Sequence, residues 1–178
     1  MRGSIFVGTS VDGFIAKPDG GLDWLTGGGE NSEGSEEAGF SDFMATVDAL
    51  VMGRNTFDIV AKFARWPYGA KPVIVLSTRP PAASPAGAVV EWMSGEPEEI
   101  VARLARRGFE HLYIDGGVTI QRFLRAGLIQ RLTITQVPVL IGEGIPLFGP
   151  TGRDIRLRHI ATHQLSGGAV KSEYEVVG

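Results

Sequence analysis

The chain has 178 residues, of which 43% are apolar and none is cysteine, and its formal net charge is −3. This length fits one domain, and the lack of cysteine excludes disulfides, thiolate nucleophiles and cysteine-ligated metals. The small negative charge disfavours a general nucleic-acid binder, which usually carries a basic surface. The apolar run in MRGSIFVGTS is too short for a signal sequence or a membrane span, so we expect a cytoplasmic protein with no membrane contact.

The first part of the chain predicts a strand, a glycine-rich connection and a helix. Residues 4–10 form a short apolar run that ends in small residues, as expected for a strand. The stretches VDGFIAKPDGGLDWL and GGGENSEGSEE follow, and so long an irregular connection suggests a functional loop. Residues 36–46 then place Phe40, Phe43 and Met44 at helical spacing.

The middle of the chain repeats one arrangement, in which an apolar strand is followed by a polar or glycine-rich turn. The strands are 48–52, 72–76 and 112–114, and their turns are Gly53-Arg54, Ser77-Thr78-Arg79 and Asp115-Gly116-Gly117. The first turn leads into a helix with Asn55 as the expected N-cap, and the third leads into a helix at 118–125. A short strand at 89–92 and a helix at 98–107 lie between them.

The C-terminal part of the chain changes to alternating apolar and polar residues. Residues 131–140 alternate, and residues 154–163 and 169–177 alternate again, as an antiparallel pair would. The sequence therefore predicts an α/β fold over residues 1–178. We expect one domain with a central, mostly parallel sheet, flanking helices and a C-terminal antiparallel hairpin.

The three polar turns point to a ligand with several phosphates. The carboxyl ends of parallel strands lie on one side of a sheet, and ligands bind outside them. There, Arg54 and Arg79 supply positive charge, and Gly116-Gly117 lets backbone amides approach a phosphate. Taken singly, each arginine is more often a surface charge and a glycine pair is often only a tight turn. Their occurrence together favours a dinucleotide with an additional phosphate.

The order of these motifs resembles the dihydrofolate-reductase-like superfamily, in particular the branch related to the reductase domain of bacterial riboflavin biosynthesis. The motifs are SVDGFIA, LDWL, ALVMGRNTF, VIVLSTR, YIDGGVTIQRFL and LTITQVPVLIGEGIPLF. The resemblance implies an NADPH-dependent oxidoreductase that acts on a small heterocycle and forms a homodimer. Three activities fall within it, those of a dihydrofolate reductase, of a 5-amino-6-(5-phosphoribosylamino)uracil reductase and of a reductase of another heterocycle.

The resemblance also implies a set of cofactor-binding residues. Gly53, Arg54, Asn55 and Thr56 would hold phosphates, and Ser77, Thr78 and Arg79 would surround the 2′-phosphate of the adenosine. Asp115, Gly116, Gly117, Val118 and Thr119 would lie along the pyrophosphate. Val7, Gly8, Ile15 and Ala16 would line the nicotinamide, beneath a flap at 19–21.

The acceptor side of the site departs from the dihydrofolate reductase pattern. The first glycine of the expected triplet is Asp115, and a glycine-rich insertion follows Asp23 and Trp24. Proton donation or substrate anchoring would fall to Glu37 first, then to Asp23 and Asp12, although each of them could be a solvated loop acid. Trp24 would stack on the heterocycle, and Thr135 matches the threonine that supports the family's acid.

Three alternatives remain open from the sequence. The chain could be a non-catalytic nucleotide-binding module, a true dihydrofolate reductase, or an interaction protein that no longer binds the cofactor. The three histidines, His111, His159 and His163, lack the company of other ligands, so the sequence predicts no metal site.

Overall fold

The computed structural model describes residues 1–25, 38–79 and 83–178. The strands of this part are β1 Arg2–Ser10, β2 Phe14–Ala16, β3 Ala49–Gly53, β4 Pro72–Leu76, β5 Val89–Met93, β6 His111–Asp115, β7 Arg131–Val137, β8 Ile145–Pro146, β9 Arg156–Gln164 and β10 Val170–Val177. The α-helices are α1 Phe40–Thr46, α2 Arg54–Val60, α3 Pro97–Arg106 and α4 Gly117–Arg125. No helix within the described ranges is long and apolar enough to cross a membrane.

Eight of the described strands form one sheet in the order β5-β4-β3-β6-β1-β7-β10-β9. The pairs from β5 to β7 are all parallel, whereas β10 runs antiparallel to both β7 and β9. This arrangement confirms the predicted α/β fold with a mostly parallel sheet and a C-terminal antiparallel hairpin. It also places the carboxyl ends of β3, β4 and β6 side by side, because β3 pairs with β4 and with β6.

The central strands are buried on both faces, as expected when helices cover a parallel sheet. Successive residues of each strand point to opposite faces of the sheet and therefore belong to two different cores. Ile5, Val51 and Ile114 pack on one face with α3 and α4. Leu50 and Tyr113 pack on the other face with α1 and α2. The two faces are called here the α4 face and the α1 face.

The helix starts of α1 and α2 differ from the sequence-based expectation. The prediction of Asn55 as N-cap is wrong, because α2 begins at Arg54 and its N-cap is Gly53, which makes no side-chain cap bond. Helix α1 begins at Phe40, after Gly39 in a left-handed conformation with φ 87°. Asparagine is a good N-cap in general, but here the extended backbone of the strand ends directly at Gly53.

A second, two-stranded sheet was not predicted. In it β2 pairs antiparallel with β8, through Phe14 with Pro146 and Ala16 with Ile145. Strands of three and two residues are too short to show a hydrophobic period, so nothing in the pattern distinguishes them from a loop. This small sheet holds the segment after β1 against the N-terminus of α4.

Candidate functional site

The strand ends of β3 and β4 are joined by the first arginine of the predicted site. Arg54 Nη1 donates a hydrogen bond to the carbonyl oxygen of Arg79 at 3.2 Å, and Arg54 Nε lies 3.4 Å from the carboxylate of Asp58. Ser77 closes the turn after β4, because its Oγ donates to the carbonyl of Arg79 at 2.9 Å and accepts from the Arg79 amide at 3.1 Å. The structure therefore brings Arg54, Ser77 and Arg79 together.

The side chains of Thr78 and Arg79 project from this turn into solvent, since both residues are exposed. No ion pair of Arg79 occurs within the described ranges, whereas the guanidinium of Arg54 is held by two partners. Asn55 is also exposed, at the first turn of α2. These positions leave Arg79 as the more accessible cation of the pair, next to the hydroxyl of Thr78.

The ends of β3 and β6 meet through glycine. Gly116 has φ 88°, and a Cβ built on it would lie 2.3 Å from Thr56 Oγ1. A Cβ on Gly53 would lie 3.1 Å from the hydroxyl of Thr119, which is itself buried. Any larger residue at 116 would thus meet both backbone strain and a collision. The contacts place Gly53, Thr56, Gly116 and Thr119 in one continuous wall.

The same wall continues to the small sheet. A Cβ on Gly117 would lie 2.8 Å from the carbonyl oxygen of Pro146 and 3.4 Å from the side chain of Ile15. The first backbone bond of α4 is donated by Ile120 to the carbonyl of Gly116 at 2.8 Å. The amides that precede it, from Gly117 to Thr119, belong to the first turn of α4, where helices have no partner of their own for N–H groups.

The residues predicted to line the nicotinamide differ in their burial and in the face of the sheet on which they lie. Val7 and Ala16 are buried, and Val7 belongs to the core on the α4 face. Gly8 faces α1, and a Cβ on it would lie 2.3 Å from Leu25 Cδ1. A larger residue at position 8 would therefore displace the side chain of Leu25. Val118 is 70% exposed at the first turn of α4.

The predicted flap packs against the neighbouring helix. Gly20 is buried with φ 84°, and a Cβ on it would lie 2.7 Å from Ile59 of α2. Trp24 Nε1 donates to the carbonyl of Gly21 at 3.3 Å. The loop that carries Trp24 and Leu25 therefore runs between α2 and the end of β1, on the α1 face.

Two of the three predicted catalytic acids are held in their charged form. Asp12 accepts hydrogen bonds from the amides of Ile141 at 3.3 Å and Gly142 at 2.7 Å, and a bond with Ser10 is the main cause that lowers the pKa of Asp12. Asp23 pairs with Lys17 at 2.7 Å, and this bond lowers the pKa of Asp23. A carboxyl with a lowered pKa is a poor proton donor near neutral pH. Glu37 lies outside the described residues.

A different acid has the property that proton donation needs. Asp115 ends β6, and desolvation by burial raises the pKa of its carboxyl to about 6. The amide of Gly116 donates to its Oδ1 at 2.8 Å, and the hydroxyl of the buried Tyr68 also bonds to the carboxyl. The sequence-based prediction places Asp115 only among the cofactor contacts. Its presence where the related pattern has a glycine is the feature that could have suggested a further role for this acid.

Thr135, predicted on the substrate side, lies on the same face as Gly8. The two residues are partners in the parallel pair of β1 and β7. The hydroxyl oxygen of Thr135 is buried and has no hydrogen-bond partner within the described ranges. Within those ranges, no group of three His, Asp or Glu side chains is arranged to hold a metal ion.

Comparisons with known proteins agree with this geometry. The sequence model of the RibD C-terminal domain matches residues 4–171. An uncharacterized protein of Bacillus subtilis, YwjB, is 33% identical over 172 residues, which cover 96% of this chain and 95% of the relative.

Solved structures of related proteins also resemble this chain. A crystal structure of a candidate riboflavin biosynthesis protein from Shewanella sp. PV-4 superposes with a TM-score of 0.88 and 40% identity, and the match covers all of both chains. The dihydrofolate reductase of Enterococcus faecalis, solved in complex with NADP(H), has a TM-score of 0.67 and 21% identity. That match covers all of this chain and 97% of the reductase, and it shows a shared fold.

Proposed function

Since the chain belongs to the family of the RibD C-terminal domain, we propose that it is an NADPH-dependent reductase that transfers a hydride to a small heterocyclic acceptor. The observation that carries the proposal is the continuous wall formed at three strand ends. Arg54 contacts Arg79 across β3 and β4, and Thr56 contacts Gly116 across β3 and β6. Such a wall, outside the carboxyl ends of parallel strands, is where α/β folds bind dinucleotides.

The donors along this wall suit the phosphates of NADPH. Backbone amides in the first turn of α4, from Gly117 to Thr119, suit a pyrophosphate, because a helix N-terminus attracts anions. At the other end, the exposed guanidinium of Arg79 and the hydroxyl of Thr78 suit the 2′-phosphate. The carboxylate of Asp115 does not oppose this charge directly, since it is turned towards Tyr68 on the α1 face.

The protein must position the two reactants and deliver a proton. When bound, NADPH supplies the hydride from its nicotinamide ring. The short sheet of β2 and β8 holds Ile15 beside Gly117, and this contact fixes the side of the site nearest β1. Asp115 is our candidate for the proton, because a carboxyl with a pKa of about 6 exists in both protonation states near neutral pH.

Two related activities fall within the proposal. A ribosylaminopyrimidine reductase follows from the family, and a dihydrofolate reductase follows from the shared fold. A dihydropterin site of the usual kind would need an ionised acid beside Thr135. Among the described residues, the partner of Thr135 on β10 is the cation Lys171, and Glu37 lies outside those residues.

We also propose that the protein acts as a homodimer through the C-terminal strands. Strand β9 is exposed along almost its whole length, and its residues Leu157 and Ile160 are each 42% exposed. A groove of about 260 Å³ on the α4 face, lined by Ile134, Phe148 and Tyr174 among others, adjoins these strands. Exposed apolar surface of this kind is typical of subunit contacts. Sedimentation at several concentrations tests it, with Ile160→Glu expected to give monomers.

The central proposal is tested by cofactor binding followed by turnover. NADPH at saturating concentration should raise the melting temperature, and NADH at the same concentration should raise it less. Loss of the NADPH absorbance with a panel of pterins, pyrimidines and flavins then tests catalysis. No thermal shift with NADPH would contradict cofactor binding. A shift without turnover of any acceptor would favour a non-catalytic nucleotide-binding module.

A further inference from the structure

One cation on the α1 face is not accounted for by the cofactor wall. Lys171 of β10 lies directly opposite Thr135 of β7, and Thr135 in turn lies beside Gly8 of β1. Directly paired residues of neighbouring strands project from the same face of a sheet, close enough to interact. Lys171, Thr135 and Gly8 therefore form a row on the α1 face, beside the strand end at which we place the nicotinamide.

Thr135 brings an unused hydrogen-bonding group to this row. Its hydroxyl oxygen is buried and has no partner within the described ranges. A buried hydroxyl without a partner is less favourable than a hydrogen-bonded one, because it has lost its bonds to water. Such a group is unusual in a folded protein and needs an explanation, and a binding role is one. Leu25 covers Gly8, at the β1 end of the row.

Lys171 is an unusually enclosed cation, and its partners in the described part of the chain leave one of its N–H groups unused. Its side chain is only 17% exposed. The ammonium donates to the carbonyl oxygen of Ala38 at 3.1 Å and lies 3.5 Å from the carboxylate of Glu173. An ammonium has three N–H donors, and these two partners use two of them within the described ranges.

We propose that Lys171 and Thr135 together donate hydrogen bonds to a ring carbonyl oxygen of the acceptor, which makes Lys171 a specificity-determining residue. Glu173 offsets the charge of Lys171, so the pair suits a neutral oxygen better than a second anion. Two donors side by side disfavour an exocyclic amino group, which is itself a donor and would leave buried donors unpaired. This inference rests on the proposed reductase function for the identity of the ligand as an acceptor.

A matched pair of planar probes tests the preference directly. Lumazine and pterin share the bicyclic ring and differ at one position, where lumazine has a carbonyl and pterin an amino group. Each probe is titrated into the NADPH-saturated protein and into the protein alone, with fluorescence or calorimetry as the readout. We expect the wild type to bind lumazine roughly tenfold or more tightly than pterin, as one hydrogen bond to a charged donor allows.

Variants identify the residue that sets the preference. Lys171→Met, which keeps the length of the side chain, should abolish the preference for lumazine, whereas Lys171→Arg should retain most of it. Thr135→Val should weaken lumazine binding and leave pterin binding nearly unchanged. Lys62→Met, at an exposed lysine after α2, is the matched control and should change neither affinity.

The outcomes separate a binding role from a structural one. If Lys171 only stabilised the fold through its hydrogen bond to Ala38, then Lys171→Met would lower the melting temperature but keep the ratio of the affinities for lumazine and pterin. A retained ratio overturns the proposal, as does a wild type that binds pterin at least as well as lumazine or binds neither probe. The NADPH thermal shift is measured on the same samples. If NADPH gives no thermal shift but the preference for lumazine still depends on Lys171, then the reductase function is contradicted and the carbonyl-binding site is supported.

Discussion

The guanidinium of Arg54 donates to the carbonyl oxygen of Arg79 at 3.2 Å, so one arginine fixes the turn that presents the other. The two residues play different parts as a result. Arg54 is partly buried and joins the ends of β3 and β4, whereas the side chain of Arg79 is exposed. Arg79 can therefore bind a phosphate without breaking an ion pair within the described residues, whereas Arg54 is already paired with Asp58.

Arg79→Ala should weaken NADPH binding by roughly 10–100-fold, as expected for the loss of a charge-assisted hydrogen bond to phosphate. NADH lacks the 2′-phosphate, so its affinity should change little. Affinities measured by fluorescence titration of both cofactors check this. Arg106→Ala, at an exposed arginine of α3, is the control and should leave both affinities unchanged. Equal weakening of NADPH and NADH in Arg79→Ala would place the 2′-phosphate elsewhere.

Gly116→Ala should destabilise the fold and impair NADPH binding. The substitution meets a φ of 88° and places its Cβ 2.3 Å from Thr56 Oγ1, which we expect to cost roughly 2–4 kcal/mol of the free energy of unfolding. Gly87→Ala is a matched control, because Gly87 has φ 76° and nothing within 4 Å of the built Cβ. Urea denaturation of both variants measures the difference.

A second substitution separates the collision from the backbone strain. Adding Thr56→Ala to Gly116→Ala removes the atom that the new Cβ would meet, so part of the lost stability should return. The loss of stability that remains then measures the backbone strain at the positive φ of Gly116. If the double variant is no more stable than Gly116→Ala, then the contact with Thr56 is not the cause.

Much of the wall at the strand ends could be predicted from the sequence because it follows from strand order. Apolar strands followed by Gly53-Arg54 and by Ser77-Thr78-Arg79 must end on the same side if they are parallel, and β3 and β4 are in fact neighbours. The physical rule needs only the positions of the strands and their direction. Contacts within one turn or between adjacent parallel strands are therefore predictable from pattern alone.

The acceptor side depends on contacts that no local pattern contains. Burial raises the pKa of Asp115, and Tyr68, which bonds to its carboxyl from a loop far away in the sequence, offsets part of this rise. Lys171 meets Thr135 only because of the register between β10 and β7, which the alternation of residues does not fix. Leu25 covers Gly8, and that contact depends on how a loop folds back.

The free energy of unfolding should carry a distinct pH dependence from Asp115. Its pKa is about 6 in the folded protein, against an ordinary value of 3.8. Between these values the folded chain binds more protons at this carboxyl than the unfolded chain does. The contribution of Asp115 therefore falls as the pH rises through that window, by up to about 3 kcal/mol.

Asp115→Asn should remove this dependence, so that the variant gains stability relative to the wild type at neutral pH more than at acid pH. Denaturation curves at several pH values measure the difference. Asp154→Asn, at an exposed aspartate, is the control. If Asp115 also delivers the proton, then Asp115→Asn should lower turnover without a matching loss of NADPH affinity. A pH dependence identical to that of the wild type would contradict the buried position of the carboxyl.

His111 should contribute the opposite pH dependence at the other end of the sheet. Its Nδ1 lies 2.8 Å from the carbonyl oxygen of Thr46, which can only accept, so Nδ1 carries the proton and Nε2 faces the hydroxyl of Ser4 at 2.7 Å. Desolvation by burial lowers the pKa of His111 below its ordinary value of 6.5. The hydrogen bond to Thr46 and the charge of Asp48 oppose this shift, whereas the charges of Arg2 and Arg131 add to it.

Below about pH 6.5 the unfolded chain therefore takes up the proton before the folded chain does, so the free energy of unfolding should fall as the pH falls. His111→Gln should reduce this loss of stability on acidification, although it lowers stability at neutral pH through the lost hydrogen bonds. His163→Gln, at an exposed histidine of β9, should leave the acid sensitivity unchanged. Free energies of unfolding measured at about pH 7.5 and about pH 5 decide the matter. The same acid-induced loss in His111→Gln and in the wild type would mean that another group is responsible.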